Sequence, residues 1–276
     1  MAPTLNLVGA GHVGRVLGRL FAASGAFEVQ DILTRSRATA EAAAAFAGAG
    51  RACADIAQMR PARVWMLAVG DDAIQPACAA LAAAQALDGA IVFHCSGAKA
   101  SSELEAARAA GALVASVHPV RSFADPDAVA AAFTGTWCGV EGDTQALALL
   151  EPAMAAIGAQ TVRIDPAAKT VYHAAAVFAS NYLVTVLDAA LRAYVAAGVP
   201  EAVARELARP LASETLANVF RIGPEAALSG PVARGDFATV ARQQEAVARW
   251  DAPTGQLYEA LVASTSELAR RKRGQA

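Results

Sequence analysis

The residues best placed for chemistry at the start of this chain are small ones. Gly9-Ala10-Gly11-His12-Val13-Gly14 is a G-x-G-x-x-G run that directly follows the apolar Leu5–Val8. Between a strand and a helix, Gly9 allows the tight turn, Gly11 lets backbone approach a pyrophosphate, and Gly14 lets helix pack on strand. The unpaired N–H groups and dipole of the helix start then attract the phosphates. An ordinary glycine turn or an S-adenosylmethionine site could use the same run. The flanking strand and helix favour a dinucleotide, with Gly9, Gly11, His12, Val13 and Gly14 as its contacts.

An NAD site usually carries an acid on the ribose hydroxyls roughly twenty residues further on. Here the next strand ends in Thr34-Arg35-Ser36-Arg37, and Asp31 falls too early, within the strand itself. Guanidinium and hydroxyl groups suit a 2′-phosphate, which a carboxylate repels. NADP(H) is therefore the expected cofactor, held there by Thr34, Arg35 and Ser36. The plainer alternative makes Ser36 a helix cap and leaves the arginines solvated.

Four histidines supply further chemistry. His12 lies in the glycine run, while His94 and His118 each end an apolar run that reads as a strand. Open α/β sheets bind ligands at the carboxyl ends of their strands, so His118 is a catalytic candidate; His94 is closer to buried sheet. Lys169 and His173 are four residues apart and share one helix face, with Ser180 and Asn181 further along the same broad side. A polar stripe in an apolar helix needs partners or water. It makes either a substrate site, with Lys169, His173 and Asn181 catalytic, or a structural hydrogen-bond network. Arg234, in Ser229–Asp236, could hold a substrate carboxylate in bidentate fashion or simply pair with Asp236. No spacing of His and carboxylates suggests a metal, and no G-x-S-x-G elbow is present.

Composition narrows the partners. The 276 residues are 55% hydrophobic and 17% charged, with net charge −2. That is ample material for a core, and it favours neither nucleic acid nor an anionic membrane. The basic Arg270–Arg273 cluster reads as a solvated helix end. Four cysteines without C-x-x-C spacing suit a reduced cytoplasmic protein. The amino-terminal residues lack the pattern of a signal peptide. No uninterrupted apolar run has the length of a bilayer span.

The elements that must position these residues follow from apolar runs alternating with helical stretches. Strands are expected at Leu5–Val8, Phe27–Leu33, Val64–Val69, Ala90–Phe93, Leu113–Val117, Trp137–Val140 and Thr161–Ile164. Helices lie between them, one capped by Asp71-Asp72 and one opened by the capping box Ser102–Glu105. This alternation predicts an α/β doubly wound, mostly parallel Rossmann sheet over residues 1–165. Beyond Asp165-Pro166 no strand is expected, so residues 166–276 form an all-α domain. Its first helix, about 167–197, is apolar nearly all round and must be buried. A second copy of the chain would cover it best, which predicts a homodimer.

In this order, the motifs resemble Rossmann-like NADP oxidoreductases joined to a helical domain of unknown function. These are distant relatives of the pyrroline-5-carboxylate reductases and the β-hydroxyacid/6-phosphogluconate dehydrogenases. The resemblance rests on Gly9–Gly14, Leu67–Asp72, His94–Ala98, Val117–Pro119, Lys169–His173 with Asn181, and Gly230–Asp236. It implies cofactor contacts also at Val69, Gly70, Ser96 and Gly97. Lys169 resembles the catalytic lysine of the β-hydroxyacid dehydrogenases, but its one-turn partner is His173 rather than asparagine. The implied activity is reduction of a small carbonyl or imine, or oxidation of a hydroxy acid, with substrate held at Arg234. A non-catalytic NADP(H) sensor is the alternative.

Overall fold

The computed structural model describes residues 1–274. Its first compact unit, Met1–Ser180, is built on one eight-stranded sheet. In chain order it holds β1 (Thr4–Val8), α1 (His12–Ser24), β2 (Glu28–Leu33), α2 (Arg37–Ala47), β3 (Arg51–Cys53), β4 (Val64–Leu67) and α3 (Ile74–Ala84). These are followed by β5 (Ile91–His94), α4 (Glu105–Ala109), β6 (Leu113–Pro119), α5 (Pro126–Ala131), β7 (Trp137–Gly142), α6 (Thr144–Ala156), β8 (Gln160–Arg163) and α7 (Lys169–Val177). The strand order is β3-β2-β1-β4-β5-β6-β7-β8. Every pairing is parallel except β6–β7. This is the doubly wound, mostly parallel sheet that the alternation predicts.

Two apolar clusters, one on each face, hold the sheet between its helices. Strand β4 shows how: Val64 and Met66 join Leu5, Leu7, Phe21 and Phe93 in one cluster, while Trp65 and Leu67 join Leu81, Val92 and Leu104 in the other. Period-two alternation thus serves both faces, so the central strands read as continuous apolar runs. Strand β3 was not foreseen. It has three residues, opens on an arginine, and is set in place by Asp31. That carboxylate is fully buried in β2 and accepts hydrogen bonds from Arg51, from Arg60 and from the Arg60 backbone.

Some local expectations fail on capping. Ser102–Glu105 forms no capping box; a 3-10 turn at Ser101–Leu104 leads into α4 without a side-chain cap. Nor do Asp71 and Asp72 cap a helix, because both lie inside a 3-10 turn that follows Gly70. Asp165 does cap its turn, accepting from the Ala167 N–H at 2.9 Å.

The second unit begins at Asn181, and its described residues are helical. It contains α8 (Leu183–Ala196), α9 (Glu201–Ile222), α10 (Pro224–Ala227), α11 (Gly230–Arg234), α12 (Phe237–Trp250) and α13 (Ala252–Lys272). The division falls after Ser180 rather than at Asp165, because α7 packs with the sheet through Lys169. A π-helical turn at Phe178–Tyr182 interrupts the single helix expected from 167 to 197. That helix is also not buried within the chain: Val171 is 75% exposed, and Phe178, Tyr182 and Val184 are exposed too. By length and composition alone, Pro166–Ala196 could cross a membrane. Its first turn, however, is fixed in protein, with Lys169 buried against strand ends.

Candidate functional site

A cleft opens at the carboxyl ends of β1, β2 and β4. It is a cavity of about 1210 Å³ whose lining includes Gly9, Gly11, Thr34, Arg35, Ser36 and Gly70. Val69 lines it as well, whereas His12, Val13, Gly14, Ser96 and Gly97 do not. Val13 packs on the core, and His12 at the start of α1 meets the Phe123 carbonyl through Nδ1.

The glycines test whether a dinucleotide fits. Gly9 has φ +88°, and a Cβ there would come within 2.6 Å of the Ala68 carbonyl oxygen. A Cβ on Gly14 would sit 2.8 Å from that of Ala68, so both glycines serve chain packing. At Gly11 a Cβ would meet nothing within 4 Å. Its bareness serves the open space in front of the α1 N-terminus, the place a pyrophosphate takes. The cleft's residues fit the group.

At the end of β2, Ser36 caps α2 by accepting from the Thr39 N–H at 3.2 Å, and its carbonyl accepts from the Thr34 hydroxyl at 2.8 Å. Arg37 is paired with Glu41. Arg35 is exposed at the cleft and has no ion-pair or hydrogen-bond partner among the described residues. The capping and the phosphate readings of this segment are therefore compatible, since Ser36 caps while Arg35 stays open. Asp31 is committed to Arg51 and Arg60, which hold its carboxyl below its ordinary pKa against the opposing effect of burial.

A second group assembles at the ends of β5, β6 and β7, where α7 crosses them. Lys169 is 1% exposed. Its ammonium donates to the Ser96 carbonyl at 3.0 Å and to the Ser116 hydroxyl, and lies 3.7 Å from Glu141. Glu141 in turn accepts from the Ser101 N–H at 2.8 Å and the Ser101 hydroxyl at 2.7 Å. An ammonium has three donors, and two of them meet protein oxygens here. Burial outweighs the attraction of Glu141, so the Lys169 pKa is lowered. Lys169 is thus buried where α7 meets the strand ends, with two of its donors taken by protein oxygens.

One turn along α7, Tyr172 and His173 face His118. The Tyr172 hydroxyl lies 3.2 Å from His118 Nδ1, and the His118 and His173 rings meet edge to face at 5.6 Å. All three are half-buried. Both His118 and His173 overhang Gly97, where a Cβ would collide with them. His94 is different. It is fully buried, with Nε2 at 3.0 Å from the Ala100 carbonyl and Nδ1 accepting from the Ser96 N–H, so it shapes the loop. Burial pushes its pKa down to about 4.

The structure thus brings together His118, His173, Lys169, Ser96 and Gly97 from the sequence candidates, and adds Tyr172, Ser116 and Glu141. Asn181 and Arg234 belong to the second unit, where both are exposed. Arg234 ends α11, and its charge helps lower the Asp236 pKa.

Residues 136–265 match a family described as a domain of unknown function, DUF2520. No curated protein matches the chain. Among solved structures, a Thermotoga maritima protein is 27% identical over 98% of this chain and all of its own, with a TM-score of 0.75. The fold is that of the Rossmann-like NADP oxidoreductases. An imine reductase from Myxococcus stipitatus in complex with NADP+ shares it at 15% identity and a TM-score of 0.67, covering 98% of this chain and 93% of its own. So does a Plasmodium falciparum pyrroline carboxylate reductase with NADP bound, at 11% identity and a TM-score of 0.61, covering 97% and 98%.

Proposed function

We propose that this chain is an NADP(H)-dependent oxidoreductase that reduces a small carbonyl or imine, or oxidises the matching hydroxy acid. The observation that carries the cofactor is the open face of Gly11 beside an unpaired Arg35. Gly9, Gly11, Val69 and Gly70 would hold the dinucleotide, and Thr34, Arg35 and Ser36 its 2′-phosphate. A bound nicotinamide would supply the hydride. The substrate would meet it near Gly97, beneath His118, Tyr172 and His173.

NADPH is expected to bind at least tenfold more tightly than NADH by calorimetry, and Arg35→Asp to reverse that order, since a carboxylate repels the 2′-phosphate. Tighter NADH binding by the wild-type protein overturns the cofactor assignment. A panel of small keto acids, aldehydes, imines and hydroxy acids, read by NADPH absorbance, tests turnover. Strong discrimination between NADPH and NADP+ with no consumption of either marks a sensor instead.

We also propose a homodimer in the cytoplasm. The exposed apolar side chains of the helical unit, from Tyr182, Val184 and Val186 to Leu211 and Phe220, the last 87% exposed, require a cover. Its described cysteines are all free thiols, as a reducing compartment keeps them. Light scattering at micromolar concentration should give twice the chain mass of 28.1 kDa. A monomer there contradicts the dimer.

A further inference from the structure

The two ring nitrogens of His118 do different things. Nδ1 faces the Tyr172 hydroxyl at 3.2 Å, and that hydroxyl packs on Gly139, where a Cβ would collide with it. Between the hydroxyl and the ring the phenol donates and Nδ1 accepts, because an imidazole nitrogen is a stronger base than a phenol oxygen. The proton of the neutral imidazole is thereby placed on Nε2. That nitrogen has no hydrogen-bond partner among the described residues, yet it is not sealed in. Trp65 Nε1 is the only buried, unpartnered side-chain nitrogen or oxygen among them. Nε2 lies over Gly97, where a Cβ would come within 2.7 Å of it. Burial first, then the neighbouring His173 and Lys169, push the His118 pKa down to about 4, and Asp71 pulls weakly the other way. Tyr172, the remaining titratable group on the ring, is itself held in its protonated form by burial. The site therefore offers one fixed, uncharged N–H.

We propose that this site takes a carbonyl group rather than a protonated imine, with His118 Nε2–H donating to the carbonyl oxygen and Tyr172 as the residue that positions His118. The assignment rests on the reductase reading and narrows it. A ketone or aldehyde oxygen has lone pairs for the donor, and it gains negative charge as the reaction proceeds, so the bond strengthens toward the transition state. A protonated imine presents its own N–H where an acceptor is needed. As the carbonyl carbon gains a hydride from reduced nicotinamide, which is thereby oxidised by two electrons, the C=O π pair moves to oxygen. The oxygen then takes a proton relayed from water by the half-buried His173 ring, one nitrogen giving a proton as the other accepts one.

Long-range 1H–15N NMR of the cofactor-free protein tests the tautomer. The expected result is a protonated Nε2 and an unprotonated Nδ1, unchanged down to about pH 5, as a group that titrates near 4 requires. Tyr172→Phe should give a mixture of tautomers. A wild-type ring protonated on Nδ1, or one that titrates near 6.5, overturns the proposal whether or not a nicotinamide binds. With NADPH, kcat/KM for ketones and aldehydes should exceed that for preformed N-alkyl iminium salts at least tenfold; parity or the reverse overturns it. His118→Ala should lower kcat about a hundredfold, the worth of an oxyanion donor, while His118→Gln, which keeps an amide N–H near Nε2, should retain more. Tyr172→Phe should lose roughly tenfold in kcat at little change in KM, the worth of one neutral hydrogen bond. Turnover of neither class, with the tautomer as expected, defeats the reductase reading and the substrate assignment with it.

Discussion

Gly11→Val is expected to abolish NADPH binding, at least a hundredfold in Kd, while the protein still folds. The backbone of Gly11 is extended, with φ −65° and ψ −169°, which any residue adopts. A Cβ placed there meets nothing within 4 Å among the described residues. The fold therefore loses only the preference for glycine over valine at a helix N-cap, on the order of 1 kcal/mol, or about 2–4 °C in Tm. The ligand loses the space its phosphates need, and a hundredfold change in Kd corresponds to roughly 2.8 kcal/mol. Gly9→Val and Gly14→Val should behave oppositely, failing in stability first, because their side chains would run into Ala68 and, from position 14, the Gly9 carbonyl. Calorimetry with NADPH and a thermal melt on the same three proteins separate the cases. Wild-type affinity in Gly11→Val removes the phosphate seat from this loop. A melt more than about 10 °C lower shows that Gly11 serves the fold after all.

The sheet was legible because its signal is local. The central parallel strands, buried on both faces, write themselves as short apolar runs, and helices α1 and α2 end at the glycines Gly25 and Gly48. The glycine loop between β1 and α1 was legible for the same reason, since its three glycines fall within six residues. Strand β3 was hidden because three residues carry no periodicity and its anchor, Asp31, lies on another strand. The chemistry at the ends of β5–β7 was only half visible. His118, Lys169 and His173 stood out as polar residues in apolar surroundings, but Ser116, Glu141 and Tyr172 did not. Glu141 sits in the strand Trp137–Gly142, and its partners Ser101 and Lys169 are remote in sequence. One signal was available. An acid within an apolar strand and a lysine opening an apolar helix are each costly to bury alone, so each implies the other. The apolar face of α8 was read as one for a second copy of the chain to cover, and within the single chain it is exposed. Hydrophobicity says that a surface must be covered, and sequence does not say by which chain.

Lys169→Met should cost about 3–5 kcal/mol, because it leaves the Glu141 carboxylate, 2% exposed, buried without its cation. For a chain of this size that is a fall of roughly 10 °C in Tm, a large part of an ordinary stability margin. The double variant Lys169→Met/Glu141→Gln should regain most of it. The glutamine can still accept from the Ser101 N–H, and a neutral pair carries no desolvated charge. Activity then decides what Lys169 does. If its ammonium braces α7, turnover should recover together with Tm in the double variant, since Tyr172 and His173 return to their places beneath His118. If its ammonium gives a proton to substrate, the double variant should be stable and inert. The brace is the outcome that the geometry supports, because two donors of that ammonium are held by protein oxygens and its charge lies 3.7 Å from the buried Glu141.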